Sequence, residues 1–383
     1  MRTCLTPNAR VTSLTGRRYL FSVLLGLATV FGTGASAQPS AAANRVFPAA
    51  EWESIARPDS IGWSAAGLEQ VRARLATMPT TGFMAIVGGR VLMQYGDVQR
   101  VSILASARKS VLSMLYGIYH SRGKIDLNKT LAQLGIDDIG GLGAEEKQAT
   151  VHDLLRARSG VYHAASNAGD NLASAPPRGS QKHGTYFLYS NWDFNALGTI
   201  FERETGVNIY DALERDLAAP LGMRDFNRAA QQKAGDLTLS VHPAYHMYLS
   251  TRDMARIGYL MLRRGNWNGR QVVPEAWVTE STRLHTPRTE MNPERLRSGV
   301  LGYGYMWWVF DHPRKPEDAE GAFVAQGSLG QQILVVPKLD LVVVHKTAPD
   351  AGGEVSEAQF FGVVEILLGA RCGAAPRVAC SAR

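Results

Sequence analysis

Ser106-Ala107-Arg108-Lys109-Ser110-Val111-Leu112-Ser113-Met114-Leu115-Tyr116-Gly117-Ile118-Tyr119 is the stretch whose reading decides the fold. Val111, Leu112, Leu115, Ile118 and Tyr119 recur at helical spacing, which predicts a helix over about 106–120. Ser106 and Lys109 stand three apart at its start, so both fall on one helical face and the amine can reach the hydroxyl. A serine hydroxyl is a poor nucleophile until a neighbouring base takes its proton. Lysine serves as that base only when neutral, which burial beside another positive group makes possible. The start of a helix also turns free N–H groups and the positive dipole end toward developing negative charge. The plain alternative is a helix cap followed by a surface lysine.

Outward from this helix the periodicity changes. Upstream, 64–77 suits a helix with Leu68, Val71 and Leu75 on one face. The apolar runs 83–87 and 91–95, separated by Gly88-Gly89-Arg90, read as a β-hairpin. Downstream, 121–300 is mostly helical, with segments at 151–157, 192–204, 208–217 and 252–263 joined by long Gly/Asn/Pro-bearing loops. Strand character returns at Tyr305 to Phe310, Ile333 to Val336 and Leu341 to Val344. Pro337-Lys338-Leu339-Asp340 forms a natural turn between the last two. A helix over about 355–369 follows. Strands at both ends and helices between predict an α+β fold, with a mainly antiparallel sheet built from both termini, flanked by helices, and an inserted helical lobe. The division is a single catalytic domain over 38–383, with 38–120 and 301–383 as its α/β lobe and 121–300 as its helical lobe.

Two further segments carry chemistry. Tyr189-Ser190-Asn191 can bring a phenol and an amide into one cleft, the phenol relaying a proton and the amide holding a substrate carbonyl. The same residues also read as a packing tyrosine and a helix N-cap at Asn191. Gly327-Ser328-Leu329-Gly330-Gln331 precedes the Ile333 strand. A glycine there lets a substrate backbone lie close, and the N–H of Ser328 can join that of Ser106 as an oxyanion hole. A β-turn is the simpler reading. Of Trp307 and Trp308, neighbours on a strand face opposite ways, so one can line the cleft while the other packs in the core.

Taken in order, these segments resemble the serine β-lactamase and penicillin-binding protein superfamily, in its class C β-lactamase-like branch of esterases, D-amino-acid peptidases and 6-aminohexanoate-dimer hydrolases. The resemblance spans roughly 60 to 370. It includes Gly123 to Leu127, Val151 to Gly160, Pro220-Leu221-Gly222-Met223, Ser250 to Gly258 and Tyr303 to Trp308. It implies a β-lactamase-like fold and an exported serine hydrolase cleaving a small ester or amide without a cofactor or metal. Ser106 would be acylated, Lys109 would be the base and Tyr189 the acid/base partner. Asn191, Gln326, Gly327 and Ser328 would position substrate, and Tyr162 could also reach the cleft. Ala325-Gln326-Gly327 stands where β-lactamases carry Lys-Thr-Gly, so the lysine that holds a β-lactam carboxylate is missing. That departure turns the expectation away from β-lactams and leaves Lys109 as the main electrostatic support of Tyr189. Penicillin-binding, D-amino-acid peptidase or β-lactamase-type activity is the alternative, and a non-catalytic binding module on the same fold is another.

The first 37 residues read as a signal peptide. Arg2, Arg10, Arg17 and Arg18 form a basic region, Tyr19 to Phe31 an apolar one, and Ala35-Ser36-Ala37 a small-x-small cleavage pattern. The apolar run is short and interrupted by glycine, which favours cleavage over a stable membrane anchor. Arg17-Arg18 also suits twin-arginine export. A periplasmic or secreted destination follows. There, Cys372 and Cys380 are expected to form a local disulfide. The whole chain carries a net charge of +7, but four of its arginines lie in the leader, and no basic stripe of the kind nucleic acid requires remains. His242 and His246 have Pro243 between them and no carboxylate partner, which argues against zinc. The oligomeric state is open.

Overall fold

Apolar strands from the early and late parts of the chain, buried on both faces, build one sheet. The computed structural model describes residues 46–312 and 317–372. The expected leader and Cys380 lie outside them. Strands β1 (Gly82–Val87) and β2 (Arg90–Gly96) form the hairpin. A short β3 (Ser102–Ile103) pairs with β4 (Tyr248–Leu249). From the C-terminal part come β5 (Leu301–Tyr303), β6 (Trp308–Phe310), β7 (Phe323–Gly327), β8 (Gln331–Val336) and β9 (Leu341–Lys346). The large sheet runs β2-β1-β9-β8-β7-β6-β5, antiparallel at each junction. Its first and last strands meet in register, with Gly82 opposite Lys346 and Val87 opposite Leu341.

Each strand splits its side chains between two cores. Phe83, Leu334 and Val343 face α1 (Ala65–Leu75) and α7 (Glu357–Gly369). Met84, Ile333 and Val344 face α2 (Arg108–Ser121) and α5 (Thr251–Leu262). The termini of the helices are capped locally. Ser64 and Ser250 accept from N–H groups of the first turn, and Ser356 forms a capping box with Gln359. The helical lobe includes α3 (Val151–Leu155), α4 (Asn191–Thr205) and α6 (Glu275–Ser281). Because α2 lies between sheet and lobe, its residues from Arg108 to Tyr119 are all buried.

Three expectations change. The helix expected over about 106–120 begins at Arg108, and Ser106 sits just before it in a 3-10 turn over Ala105–Ala107. The run from Tyr305 to Phe310 is not one strand. Met306 has φ of +59°, its N–H donates to Leu155 O at 3.1 Å and its carbonyl accepts from Ser110 Oγ at 2.6 Å. Those ties to α3 and α2 pull the chain out of the sheet between β5 and β6. The helix expected over 208–217 is α-helical at Ile209–Leu213 and widens to π-helix over Glu214–Ala218. Cys372 is disulfide-bonded.

Helix α5 reaches the sheet through a glycine. A Cβ on Gly258 would lie 2.5 Å from Val342 Cγ1 and 2.8 Å from Ile333 Cγ2. Both neighbours are β-branched and buried in strands, so neither can swing away. Gly258→Val should therefore destabilise the fold by about 2–3 kcal/mol, read as a lower urea midpoint with an unchanged slope.

Candidate active site

The site begins with a strained turn. Leu104 N–H donates to Met247 O at 2.8 Å, so the strand pair β3–β4 fixes where the chain enters. Behind it Lys346, buried on β9, donates to Ser102 O at 2.9 Å and Leu249 O at 2.6 Å. Burial lowers that amine to about 7. The chain then turns sharply through Ala105, whose φ of +48° is costly for a residue with a Cβ. This turn presents Ser106, half-buried, toward the next helical turn.

Lys109 Nζ lies 3.1 Å from Ser106 Oγ, 2.5 Å from Tyr189 OH and 2.7 Å from Asn191 Oδ1. The amine is 4.2 Å from the centroid of the Tyr189 ring and 4.5 Å from that of Phe194. Burial, and then the charge of Arg108, hold it well below the usual lysine range, with Asp170 pulling the other way. Burial pushes the Tyr189 phenol up to about 12, against a hydrogen bond with Ser106 and the charge of Arg108. Both shifts favour the uncharged forms, an amine and a phenol.

The hydrogen bonds constrain where the protons sit. Asn191 Nδ2 donates to Ala168 O at 2.8 Å and Asn167 O at 3.4 Å, which turns Oδ1 toward Lys109. An amide oxygen only accepts, so one N–H of the amine is committed to Asn191. A neutral amine then has one N–H and one lone pair to divide between the phenol and the hydroxyl. With the N–H on Tyr189, the lone pair faces the Ser106 proton. The expected cap role of Asn191 is absent: Ser190 is the N-cap residue of α4. Asp170 Oδ2 accepts from the Asn191 N–H at 3.0 Å, so a neighbouring loop satisfies the helix start and leaves the Asn191 side chain for the amine.

Strand β7 closes the other side. A Cβ on Gly327 would meet Leu104 O at 2.4 Å and the N atoms of Ser106 and Ala107 at 3.0 Å. Glycine is required here because the strand lies against the nucleophile turn. Ser328 follows, exposed, in a short 3-10 turn. Gln326, Gly327 and Ser328 line a cavity of about 210 Å³.

The Beta-lactamase family pattern matches residues 68–352. The chain belongs to the β-lactamase family. Its members are serine hydrolases acting on amide or ester bonds. Over 347 residues the chain is 26% identical to the 6-aminohexanoate-dimer hydrolase of Paenarthrobacter ureafaciens, covering 82% of this chain and 83% of that protein. A 126-residue match, 33% identical, to an uncharacterized protein of Alkalihalophilus pseudofirmus covers 30% of this chain and only 36% of that relative's length. Among solved structures, one from Bacillus anthracis, provisionally described as a 6-aminohexanoate-dimer hydrolase, superposes with a TM-score of 0.60 at 19% identity, covering 85% of this chain and 87% of that one. The resemblance drawn from the ordered motifs is borne out for family and fold.

Within this β-lactamase-family site, some expected residues meet and others do not. Ser106, Lys109, Tyr189 and Asn191 converge, and Gly327 abuts them. Gln326 does not aim at Ser106. Its neighbour Gly327 faces the nucleophile turn, so Gln326 points to the opposite face of the sheet, where Nε2 donates to Glu357 Oε2 at 2.9 Å. Tyr162 is buried, its ring edge-on to Tyr186 at 6.3 Å, and its hydroxyl has no hydrogen-bond partner among the described residues. None of its described contacts reaches Lys109 or Tyr189. Trp307 is core, whereas half-buried Trp308 stacks on Tyr189 at 5.6 Å. An apolar cavity of about 360 Å³ lies beneath α7, lined by Ala322, Leu334 and Phe361. It is on the sheet face opposite the nucleophile. No cluster of three metal-ligating side chains occurs among the described residues.

Sequence reasoning missed Arg108 and Asp170. Arg108 was a spacer within the tetrad, and Asp170 lay in an unstructured-looking loop. The first had a signal: it is a positive group directly beside a lysine whose role as base requires a lowered pKa. Arg108 adds a charge that favours the ionised phenol of Tyr189, beside the Lys109 amine that hydrogen-bonds it. Ala325, at the position of the missing lysine, is fully buried in the core.

Gly327→Ala should leave the fold intact and push the nucleophile turn out of place. The rate of Ser106 modification by a fluorophosphonate should fall about 100-fold, measured by intact-protein mass spectrometry.

Proposed function

We propose that this protein is an exported serine hydrolase that cleaves a small ester or amide through an acyl-enzyme on Ser106. The observation that carries the reading is the buried Lys109 amine within hydrogen-bond reach of Ser106 Oγ, Tyr189 OH and Asn191 Oδ1. In the first step Ser106 Oγ attacks the substrate carbonyl and its proton passes to Lys109. The N–H groups of Ser106 and Ser328 hold the oxyanion. Tyr189 gives its proton to the leaving alkoxide or amine and recovers one from Lys109. Water then attacks the acyl-enzyme by the reverse relay, releasing the acid and restoring Ser106.

The printed name of the Paenarthrobacter relative supports an amide between unbranched acyl and amine parts as one substrate class. The uncharged Ala325 supports esters and simple amides over substrates that need a carboxylate held at that strand. The basic, then apolar, then small-residue pattern of residues 1–37 supports export to the periplasm or beyond.

Purified protein should take up a fluorophosphonate at Ser106, and Ser106→Ala should not. Folded wild-type protein that stays unlabelled would sink the proposal. Across p-nitrophenyl esters, 6-aminohexanoate oligomers, D-alanyl amides and nitrocefin, esters or the linear amides should lead, with nitrocefin about 10- to 100-fold slower. Covalent capture of a fluorescent penicillin with no ester turnover would favour a penicillin-binding role instead.

The pH profile follows from the two shifted groups. Lys109 acts when deprotonated, and its amine is lowered, so kcat/KM should rise with pH and reach its plateau well below the usual lysine value. Tyr189 acts when protonated and titrates near 12, so no descending limb from it should appear below that pH.

A further inference from the structure

We propose that Arg108 is a positioning residue of this site, its buried guanidinium holding the nucleophile turn in its strained form and supplying the positive charge beside Lys109 that the β7 strand does not carry. The inference rests on the reading of Ser106 and Lys109 as nucleophile and base.

The argument starts from cost. Arg108 is 2% exposed. It forms no ion pair with a carboxylate among the described residues. Its contacts are Nη1 to Ala105 O at 3.1 Å, Nη2 to Asn195 Oδ1 at 3.4 Å, and the face of Tyr245, 5.0 Å from its centroid. Nε has no hydrogen-bond partner among the described residues. Neutral acceptors and an aromatic face offset only part of the cost of taking a cation out of water. An apolar side chain of similar volume would fill this space at less cost, so packing does not account for an arginine here.

What the guanidinium touches does account for it. Ala105 is the residue held at φ of +48° immediately before Ser106. A hydrogen bond to its carbonyl opposes relaxation of that turn. Asn195, the other partner, lies on α4 one turn after Asn191, and its Nδ2 donates to Asn167 Oδ1 at 2.8 Å. Asn167 belongs to the loop that orients Asn191. One planar fork thus spans the nucleophile turn and the helix that carries the amide partner of Lys109.

The charge acts in the same place. The groups facing Lys109 are Arg108, Asp170 and Tyr189, and those facing Arg108 also include Tyr210, Tyr245 and His246. Burial keeps the three further groups neutral: it raises both phenols and lowers the imidazole. Asp170 opposes Arg108 at Lys109. With Ala325 in the core, Arg108 is the cation left to favour the neutral amine.

The test reads Lys109 directly, without turnover. In protein labelled with 13C-lysine, the Cε resonance of Lys109 is assigned by its loss in Lys109→Met and followed against pH. Arg108→Gln should move its midpoint upward by about one unit. Arg108→Lys, which keeps the charge but not the fork, should leave the midpoint in place. Fluorophosphonate labelling should slow in both variants, by about 10-fold or more. A midpoint unchanged in folded Arg108→Gln, or labelling as fast as wild type, overturns the proposal. If Arg108→Gln does not fold, Arg108→Lys decides: a fixed midpoint with slowed labelling supports it, and a moved midpoint overturns it. Failure of the hydrolase reading would appear separately, as wild-type protein that does not label while the titration is still readable.

Discussion

An amine without water is the constraint around which this molecule is arranged. Lys109 is 2% exposed, and the groups that satisfy it come from its own turn and from the segment at the start of α4. Ser106 arrives on the turn before α2, Tyr189 on the loop before α4, and Asn191 as the first residue of α4. Such a cluster is stable only if the inserted lobe is locked against α2, since a gap of even one water would favour the charged lysine. The lobe supplies that lock with hydrogen bonds. Asp138 accepts from Trp192 Nε1 at 2.6 Å, from Ser240 Oγ at 2.5 Å and from two backbone N–H groups, tying the first turn of α4 to two loops. Ser166 and Asn167 then carry the tie to the amide of Asn191.

The sheet meets the same demand from the other side. Its contribution near Ser106 is proximity rather than a side chain, which is why Gly327 stands there. The approach is set by a register of antiparallel pairs from β7 to β9, and β9 in turn grips β3 and β4 through Lys346. The nucleophile turn is therefore clamped between two strand systems that share one buried lysine. Cleft geometry here depends on backbone positions that side-chain identity reveals only indirectly.

This explains what was legible in the sequence. The hairpin, α1, α2, α4, α5 and α7 were readable because each carries its apolar period over several turns or strand pairs. Ser106 and Lys109 were readable because their spacing has a mechanical meaning. The 3-10 turn at Ser106 was not, since it is imposed by the contacts of Leu104 with Met247 and of Gly327 with the turn, all distant in sequence. The break in Tyr305 to Phe310 has the same origin, in ties from Met306 to α2 and α3. Gln326 was misjudged because adjacency to Gly327 in sequence means opposition across a sheet. Strand β7 itself stayed hidden because its five residues end in Gln-Gly, which reads as a turn when its partner strand is unknown.

Four departures from local rules meet around Ser106. Ala105 and Leu329 adopt positive φ, Lys109 is buried, and Arg108 is buried without an ion pair among the described residues. All four lie in the nucleophile turn, the two residues after it, or the strand end against it. Positive φ also occurs away from the site, at Ala157, Arg264, Asn268, Met306 and Asp340, whereas Asp153 sits in an ordinary capping box at the start of α3. What sets the Ser106 turn apart is that its strain stands beside a buried amine and a buried guanidinium, which fits a site held ready rather than relaxed. The charge pattern also limits what that site can accept. Its basic side chains, Arg108 and Lys109, are buried behind Ser106 and not on the β7 edge. In the proposed mechanism they would steady charge that forms on Ser106 and Tyr189. They are poorly placed to hold a carboxylate on an incoming substrate. Selectivity must then come from shape and from aromatic surface such as the half-buried Trp308 beside Tyr189.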